Sequence, residues 1–276
     1  MYETAMSLQK DNPEFTYVFS NDEQCRSFIK ERFDADVLFA YDRLIPGAYK
    51  ADLWRYCVLY TFGGIYMDIK FSCIPPFKLM ELTTQEHFIQ DRKYGGNPGI
   101  YQGVLACYPK NPILHQCIRK IVDYVKQLHY GETVLFIGPL LVANQFPVSE
   151  LKRMPLKYTG LQIVRDKTPI LNYYSEYIAE AKQTSIRPYY MDAWCQRSVY
   201  ELPSLSLKNT VFLTRITKPN QYLSDIRWID EGNERLIYGK YSSYVSYEDG
   251  TFEGSSQGNL HHILASPNTF SGKEET

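Results

Sequence analysis

Ala51-Asp52-Leu53-Trp54-Arg55-Tyr56, followed by Gly63-Gly64-Ile65-Tyr66-Met67-Asp68-Ile69-Lys70, is the stretch on which the fold of this chain turns. Asp52 and Arg55 stand three residues apart, so on a helix they project side by side. Gly63-Gly64 supplies a helix stop and permits a sharp reversal of the chain. The run Ile65 to Ile69 then reads as a buried strand that delivers Asp68 to its carboxyl end, the edge at which open α/β sheets bind ligands.

The longer string Ala48-x-x-Ala51-Asp52-x-x-Arg55-Tyr56-x-x-Leu59-Tyr60-x-x-Gly63-Gly64-Ile65-Tyr66-x-Asp68 resembles the core of the DXD-containing sugar transferases. That group includes the yeast initiating mannosyltransferase and capsular polysaccharide enzymes, and more distantly the large clostridial glucosylating toxins. The string is gapless and far more specific than a lone D-x-D. The resemblance implies an α/β GT-A (Rossmann-like) glycosyltransferase fold with a mixed central sheet. It also implies a nucleoside-diphosphate-sugar donor (UDP- or GDP-sugar) and transfer of a hexose with retention to a glycan, lipid-linked or protein hydroxyl. By the same resemblance Asp52, Arg55 and Tyr66 bind the donor, and Asp68 contacts its ribose or sugar hydroxyls and a metal where one binds. Gly138-Pro139 matches a pair that opens a helix after the phosphate-side loop. Gln102 stands where relatives commonly carry an asparagine in the strand beside the donor.

One position departs from the pattern. Where the family usually has a second metal-binding carboxylate, this chain has Lys70. The metal's task is to stabilise charge that develops on the departing diphosphate. An ammonium does part of that task directly and also repels a cation, so a divalent Mn or Mg ion is an open question. Each candidate also has an ordinary interpretation. Asp52 and Arg55 read alone are a surface ion pair of little energetic weight. Lys70 is equally a strand-end lysine reaching solvent, and Gln102 a strand amide bonded to a neighbour. Asp68 is harder to explain without a partner, because an unpaired carboxylate closing an apolar strand is costly.

Composition narrows the field. The 276 residues fit one large domain, or one with an appended subdomain. Lys plus Arg at 30 against Asp plus Glu at 31 gives a net charge of -1, no footprint for a nucleic acid. The 24 tyrosines and 14 phenylalanines suit carbohydrate contacts, although most such rings serve packing. Cysteines 25, 57, 73, 107, 117 and 195 form no C-x-x-C pair and no metal spacing, which points to a reducing compartment. There is no membrane-spanning apolar run and no signal-like start. Taken as it stands, the chain reads as cytoplasmic, with a secretory-membrane lumen the alternative where an N-terminal anchor precedes it.

Along the chain, Tyr2 to Lys10 reads as helical and Phe15 to Phe19 as a short strand before the polar turn Ser20-Asn21-Asp22. Family members carry an earlier strand that helps hold the nucleotide base, and no match to it is present. Phe28, Ile29 and Phe33 suggest a helix, and Asp34 to Tyr41 leads into the motif helix. Leu53, Trp54, Cys57, Val58 and Tyr60 form the expected apolar side of that helix. Glu86 to Gln90 reads as a strand, Gly95 to Gly99 as a flexible loop, and Ile100 to Tyr108 as a second strand. After Pro109-Lys110-Asn111-Pro112, the apolar residues Ile113 to Leu128 follow helical spacing. Ile163 to Leu171 is strand-like.

The resemblance is best from about Pro13 to Tyr200, so a catalytic domain is expected over 1–200. A strand-rich extension follows over 201–265 and a polar tail over 266–276. Two further sets of residues are weaker candidates. Of the adjacent His261 and His262, one at most would enter a site from a strand, and His262 is a candidate metal or phosphate contact. Tyr238, Tyr241, Tyr244 and Tyr247 form a candidate acceptor strip, and Asp91 a candidate lining of the acceptor cleft. Two rival functions stay open: a catalytically silent nucleotide-sugar or carbohydrate-binding module of the same fold, and a metal-dependent phosphohydrolase. The second lacks the ligand spacing it needs.

Overall fold

The computed structural model describes residues 2–94, 96–184, 189–201, 222–231, 234–242 and 263–265. The chain divides into two compact units, Met1–Glu201 and Leu202–Thr276. In the second, strands β8 (Tyr222–Glu231), β9 (Glu234–Ser242) and β10 (Ile263–Ala265) form an antiparallel sheet in the order β10-β9-β8.

The first unit opens with α1 (Tyr2–Asp11), α2 (Asp22–Arg32) and α3 (Ala35–Arg43). Asn21 caps α2 through a reciprocal bond with Gln24, and Asp34 caps α3 by accepting from the Val37 N–H. The motif helix α4 spans Gly47–Phe62 and stops at Gly63, whose φ is +66°. A Cβ on Gly63 would stand 2.7 Å from Pro109 Cδ and 2.9 Å from the Cys107 carbonyl oxygen, so both conformation and contact demand glycine here. Buried positions run more than halfway round α4, from Tyr49 through Asp52, Leu53, Arg55, Tyr56, Cys57 and Leu59. The apolar side expected for this helix is therefore only partly right. Leu53 and Cys57 are buried, but Trp54, Val58 and Tyr60 are half-exposed, because α4 turns its polar pair inward.

Seven strands follow: β1 (Gly64–Met67), β2 (Phe71–Cys73), β3 (His87–Tyr94), β4 (Asn97–Cys107), β5 (Leu156–Tyr158), β6 (Gln162–Arg165) and β7 (Thr168–Tyr173). They make one mixed sheet in the order β1-β4-β3-β5-β6-β7-β2, with β3 and β5 parallel and the other pairs antiparallel. Its two outermost strands are consecutive in the chain. Met67 to Phe71 spans at most about 14 Å of backbone, whereas the edges of seven flat strands would lie about 29 Å apart. The sheet must therefore curl until its edges approach, and Asp68-Ile69-Lys70 bridges the gap. The core agrees with this geometry. One buried cluster takes Phe71, Ile89, Tyr101, Leu156, Ile163 and Leu171 from β2 to β7, with Ile65 and Met67 of β1 packed against it and Leu8 of α1 joining.

Helices cover the remaining faces. α5 (Pro112–Lys126) is capped by Asn111, starts on Pro112 and buries Leu114, Cys117, Ile118, Ile121, Val122 and Val125, the spacing its sequence predicts. It packs on α3 and α4, while α6 (Pro139–Ala143) packs on β4. Short helices α7 (Val148–Leu151), α8 (Tyr177–Thr184) and α9 (Tyr190–Cys195) complete the unit. No helix among the described residues is long and apolar enough to cross a membrane.

Three local expectations are corrected. Phe15 to Phe19 forms no strand; Val18 and Phe19 are exposed and the segment pairs with no ladder. β propensity without a neighbouring strand does not make one. The strand read over Ile163 to Leu171 is a hairpin, β6 and β7, turned by Asp166 and Lys167 at φ +47° and +72°. Two successive positive φ values are the signature of a type I′ turn, normally announced by Asn-Gly. The expected loop over Gly95 to Gly99 shortens, because β4 already begins at Asn97, which pairs with Tyr94.

Candidate active site

The inward face of α4, the end of β1 and the middle of β4 meet at one buried cluster. Asp52 and Arg55 are each only 6% exposed, so they are not the surface pair that their spacing alone allows. Arg55 Nη2 lies 3.3 Å from Asp52 Oδ1. The rest of the guanidinium is turned elsewhere: Nη1 donates to the Gln102 carbonyl oxygen and Nε to the Ala51 carbonyl oxygen at 3.1 Å. Its carbon sits 4.5 Å from the centre of the Tyr66 ring, a cation–π contact. Gln102 is held at both ends of its amide, accepting from Tyr56 Oη at 2.6 Å and donating to the Ile100 carbonyl oxygen at 2.8 Å.

Asp68 stands just past β1, where its N–H still bonds the Gly103 carbonyl oxygen at 2.8 Å and so continues the ladder with β4. Its side chain accepts twice, from Tyr66 Oη at 2.8 Å on Oδ1 and from Lys70 Nζ at 2.7 Å on Oδ2. Lys70 does not reach solvent as an ordinary strand-end lysine would. Its ammonium lies 5.4–5.9 Å from the centres of the Tyr177, Tyr173, Tyr101 and Phe71 rings.

Gly138 closes the other side of Asp52. At φ +114° and ψ −110° it occupies backbone space that side chains rarely adopt. A Cβ there would stand 2.6 Å from Asp52 Oδ2 and 3.4 Å from Gln102 Cγ. The structure thus brings together Asp52, Arg55, Tyr66, Asp68, Lys70, Gln102 and Gly138, from four separate segments.

The two carboxylates respond to this setting in opposite ways. Burial pushes the Asp52 carboxyl up to about 7; Arg55 offsets part of that and Asp68 adds to it. Burial also opposes ionisation of Asp68, but Lys70, Arg55 and the hydrogen bonds from Lys70 and Tyr66 outweigh it and hold the group below the usual carboxylate range.

Other expectations fare differently. Asp91 on β3 is not an open lining residue: it is buried and accepts from the Arg92 N–H at 2.7 Å and Tyr94 Oη at 3.0 Å. Burial raises its pKa. His261 and His262 lie outside the described residues, as do the side chains of Tyr238, Tyr241, Tyr244 and Tyr247. The aromatic cage of Lys70 is the feature that sequence reasoning missed. Tyr101, Tyr173 and Tyr177 are distant from Lys70 in the chain, and the only hint was the overall excess of tyrosine.

A mixed α/β unit whose buried acid–base cluster closes on a strand-end carboxylate is consistent with a glycosyltransferase fold. Residues 2–89 match the family described as a glycosyltransferase sugar-binding region containing a DXD motif, and the resemblance carried by Ala48 to Asp68 is thereby shown. Inositol phosphoceramide mannosyltransferase 1 of Schizosaccharomyces pombe is 28% identical over 151 residues, 52% of this chain and 45% of that protein. Mannosyl phosphorylinositol ceramide synthase CSH1 of Saccharomyces cerevisiae is 26% identical over 136 residues, covering 48% of this chain and 34% of its own length. The glycosyltransferase L373 of Acanthamoeba polyphaga mimivirus is 38% identical over 64 residues, 23% of this chain and 26% of the viral protein. The chain spans less than half the length of these relatives.

Proposed function

We propose that this chain is a retaining hexosyltransferase of GT-A fold that moves a sugar from a nucleoside-diphosphate sugar to an acceptor hydroxyl. The observation that carries this reading is the convergence of Asp52, Arg55, Asp68, Lys70 and Gln102 in one buried cluster built on the sugar-binding motif. Mannose is the first donor sugar to test, since the relatives from both yeasts are named as mannosyl-transferring enzymes, and their names make an inositol-bearing lipid the first acceptor.

Asp52 and Arg55 would orient the donor sugar. Gly138 lacks the Cβ that would press on Asp52 Oδ2 at 2.6 Å, and that carboxylate is the group to which a sugar hydroxyl would donate. Asp68 would fix the ribose or sugar edge, and Lys70 would stabilise the departing diphosphate. In the same-face mechanism the bond from sugar C1 to the phosphate oxygen breaks as the bond to the acceptor oxygen forms. The acceptor's proton passes to the released diphosphate. No protein nucleophile is required, and the role of the cluster is orientation and charge stabilisation in a site poor in water.

The test is release of nucleotide from GDP-mannose and a panel of UDP- and GDP-sugars, with wild-type chain and Asp52→Asn. One donor should turn over, and the variant should lose at least about a hundredfold in kcat/KM, as expected when a buried polar contact to substrate is removed. Donor binding without turnover would instead identify a silent binding module. Binding of no nucleotide-sugar at all would overturn the reading.

A further inference from the structure

The family match is to a DXD motif, a pattern whose second acid helps to hold a divalent cation, and the residues present around Asp68 do not fit one. Both oxygens of Asp68 are engaged, one by Tyr66 Oη at 2.8 Å and one by Lys70 Nζ at 2.7 Å. The place of the second acid is taken by a cation. Asp91, within electrostatic reach of Lys70, already accepts from Arg92 and Tyr94 with its two oxygens. Among the described residues no three His, Cys, Asp or Glu side chains gather as a metal-holding group. A divalent ion entering here would have to displace the ammonium from Asp68 Oδ2 and then sit beside it, against a repulsion that partial burial leaves poorly screened.

Charge balance points the same way. Two carboxylates and a divalent cation are neutral overall, and so are Asp68 and Lys70. Exchanging acid for lysine therefore leaves the net charge that meets a diphosphate unchanged. It also places the positive charge on a group held by the fold: Lys70 is 15% exposed in its side chain and is ringed by Phe71, Tyr101, Tyr173 and Tyr177. A caged ammonium is preorganised and needs no recruitment from solution.

We infer that Lys70 is a built-in substitute for the divalent cation, so that this site binds the diphosphate of a nucleoside diphosphate through a fixed ammonium and without metal. The inference rests on the nucleotide-sugar reading above and specifies its electrostatics. Asp68 and Tyr66 then serve as positioning residues that aim Lys70, not as metal ligands.

The experiment is calorimetric titration of UDP and GDP into the full chain, in EDTA and again in manganese. One nucleotide should bind with a Kd that differs by less than about twofold between the two conditions, while Lys70→Met weakens it by about tenfold or more, the scale of a lost charge-assisted bond. Lys70→Arg should recover most of the affinity. Lys70→Asp, which recreates the acid pair, should bind only when manganese is present. Circular dichroism reports whether each variant is folded; should Lys70→Asp fail to fold, Lys70→Met carries the test alone, its side chain being of similar size and suited to an aromatic cage.

Wild-type binding that vanishes in EDTA and returns with manganese overturns the inference and leaves the nucleotide-sugar reading intact. Undiminished binding by Lys70→Met in EDTA also overturns it. Failure to bind either nucleotide under both conditions overturns the nucleotide-sugar reading and the inference together.

Discussion

Two aspartate–cation pairs lie side by side in this molecule, and they behave as opposites. Asp68 and Lys70 meet at 2.7 Å, and a tyrosine hydroxyl completes the carboxylate. Asp52 and Arg55 are more deeply buried, yet meet at 3.3 Å, longer than a usual charge-assisted bond, because the guanidinium directs other N–H groups to the carbonyls of Ala51 and Gln102. The first carboxylate is satisfied and more acidic than usual; the second is underserved and less acidic. One nearby cation therefore does not keep a buried carboxylate ionised: Asp68 draws on two cations, Lys70 and Arg55, and on the hydrogen bonds from Lys70 and Tyr66, whereas Asp52 has Arg55 alone. Asp68, held by Tyr66 Oη and Lys70 Nζ, is placed to position Lys70. An unsaturated Asp52 suits reception of ligand hydroxyls.

Removal of Arg55 would break the comparison most severely, because that guanidinium acts on both carboxylates. Arg55→Met leaves Asp52 without its partner and the Gln102 carbonyl oxygen without its donor. The expected loss of stability is about 3–5 kcal/mol, the usual cost of stranding one member of a buried pair, read from urea unfolding at neutral pH. Arg55→Lys should recover only part of it, since one ammonium cannot serve the Ala51 carbonyl, the Gln102 carbonyl and Asp52 in the planar fork that guanidinium provides. A loss of under about 1 kcal/mol, the range of an exposed pair, would show that the pair is solvated.

How much of this was legible in the sequence depends on distance along the chain. α4, the Gly63 stop and the delivery of Asp68 by β1 are all local, and spacing alone exposes them. Gln102 and Gly138 come from other segments, and it was resemblance to a known motif, not periodicity, that singled them out. Burial of the Asp52–Arg55 pair was not legible, since i,i+3 spacing is the same on a solvent face. Nor was the cage of Lys70. It exists because the sheet curls until β2 and β7 stand near β4, and that closure is a property of strand order. The Asp166-Lys167 turn was hidden for a different reason: Asp166 tolerates a positive φ, but Lys167 stands where such a turn normally has glycine.

The contrast between the two carboxylates is next tested by pH. Burial raises the Asp52 carboxyl from its ordinary 3.8 to about 7 on folding, so between those values the folded chain binds a proton that the unfolded chain does not. Its contribution to stability is fully present below about pH 4 and is lost as pH rises towards 7. The Asp68 carboxyl is held low, so its contribution is present above the usual carboxylate range and is lost as pH falls through its depressed folded value. Asp52→Asn should therefore gain stability on wild type as pH rises from 4 to 7, by at most about 1.4 kcal/mol per pH unit. Asp68→Asn should flatten only the acid limb. Parallel shifts of the two profiles, measured by denaturant unfolding at a series of pH values, would show that both carboxylates sit in equivalent surroundings.

The smallest change sharpens the account of Asp68 alone. Tyr66→Phe removes the hydroxyl that donates to Oδ1 at 2.8 Å but keeps the ring that Arg55 rests on and the Lys70 contact on Oδ2. The expected cost is about 1.5–3 kcal/mol, that of one hydrogen bond to a charged acceptor. Because only the ionised carboxylate gains from that bond, the cost should appear at neutral pH and shrink as Asp68 is protonated, shortening the acid limb of the stability profile at its low-pH end. A cost that is the same at every pH would assign the hydroxyl to packing. The difference between Asp68 and Asp52 would then rest on the cations Lys70 and Arg55 without the Tyr66 bond.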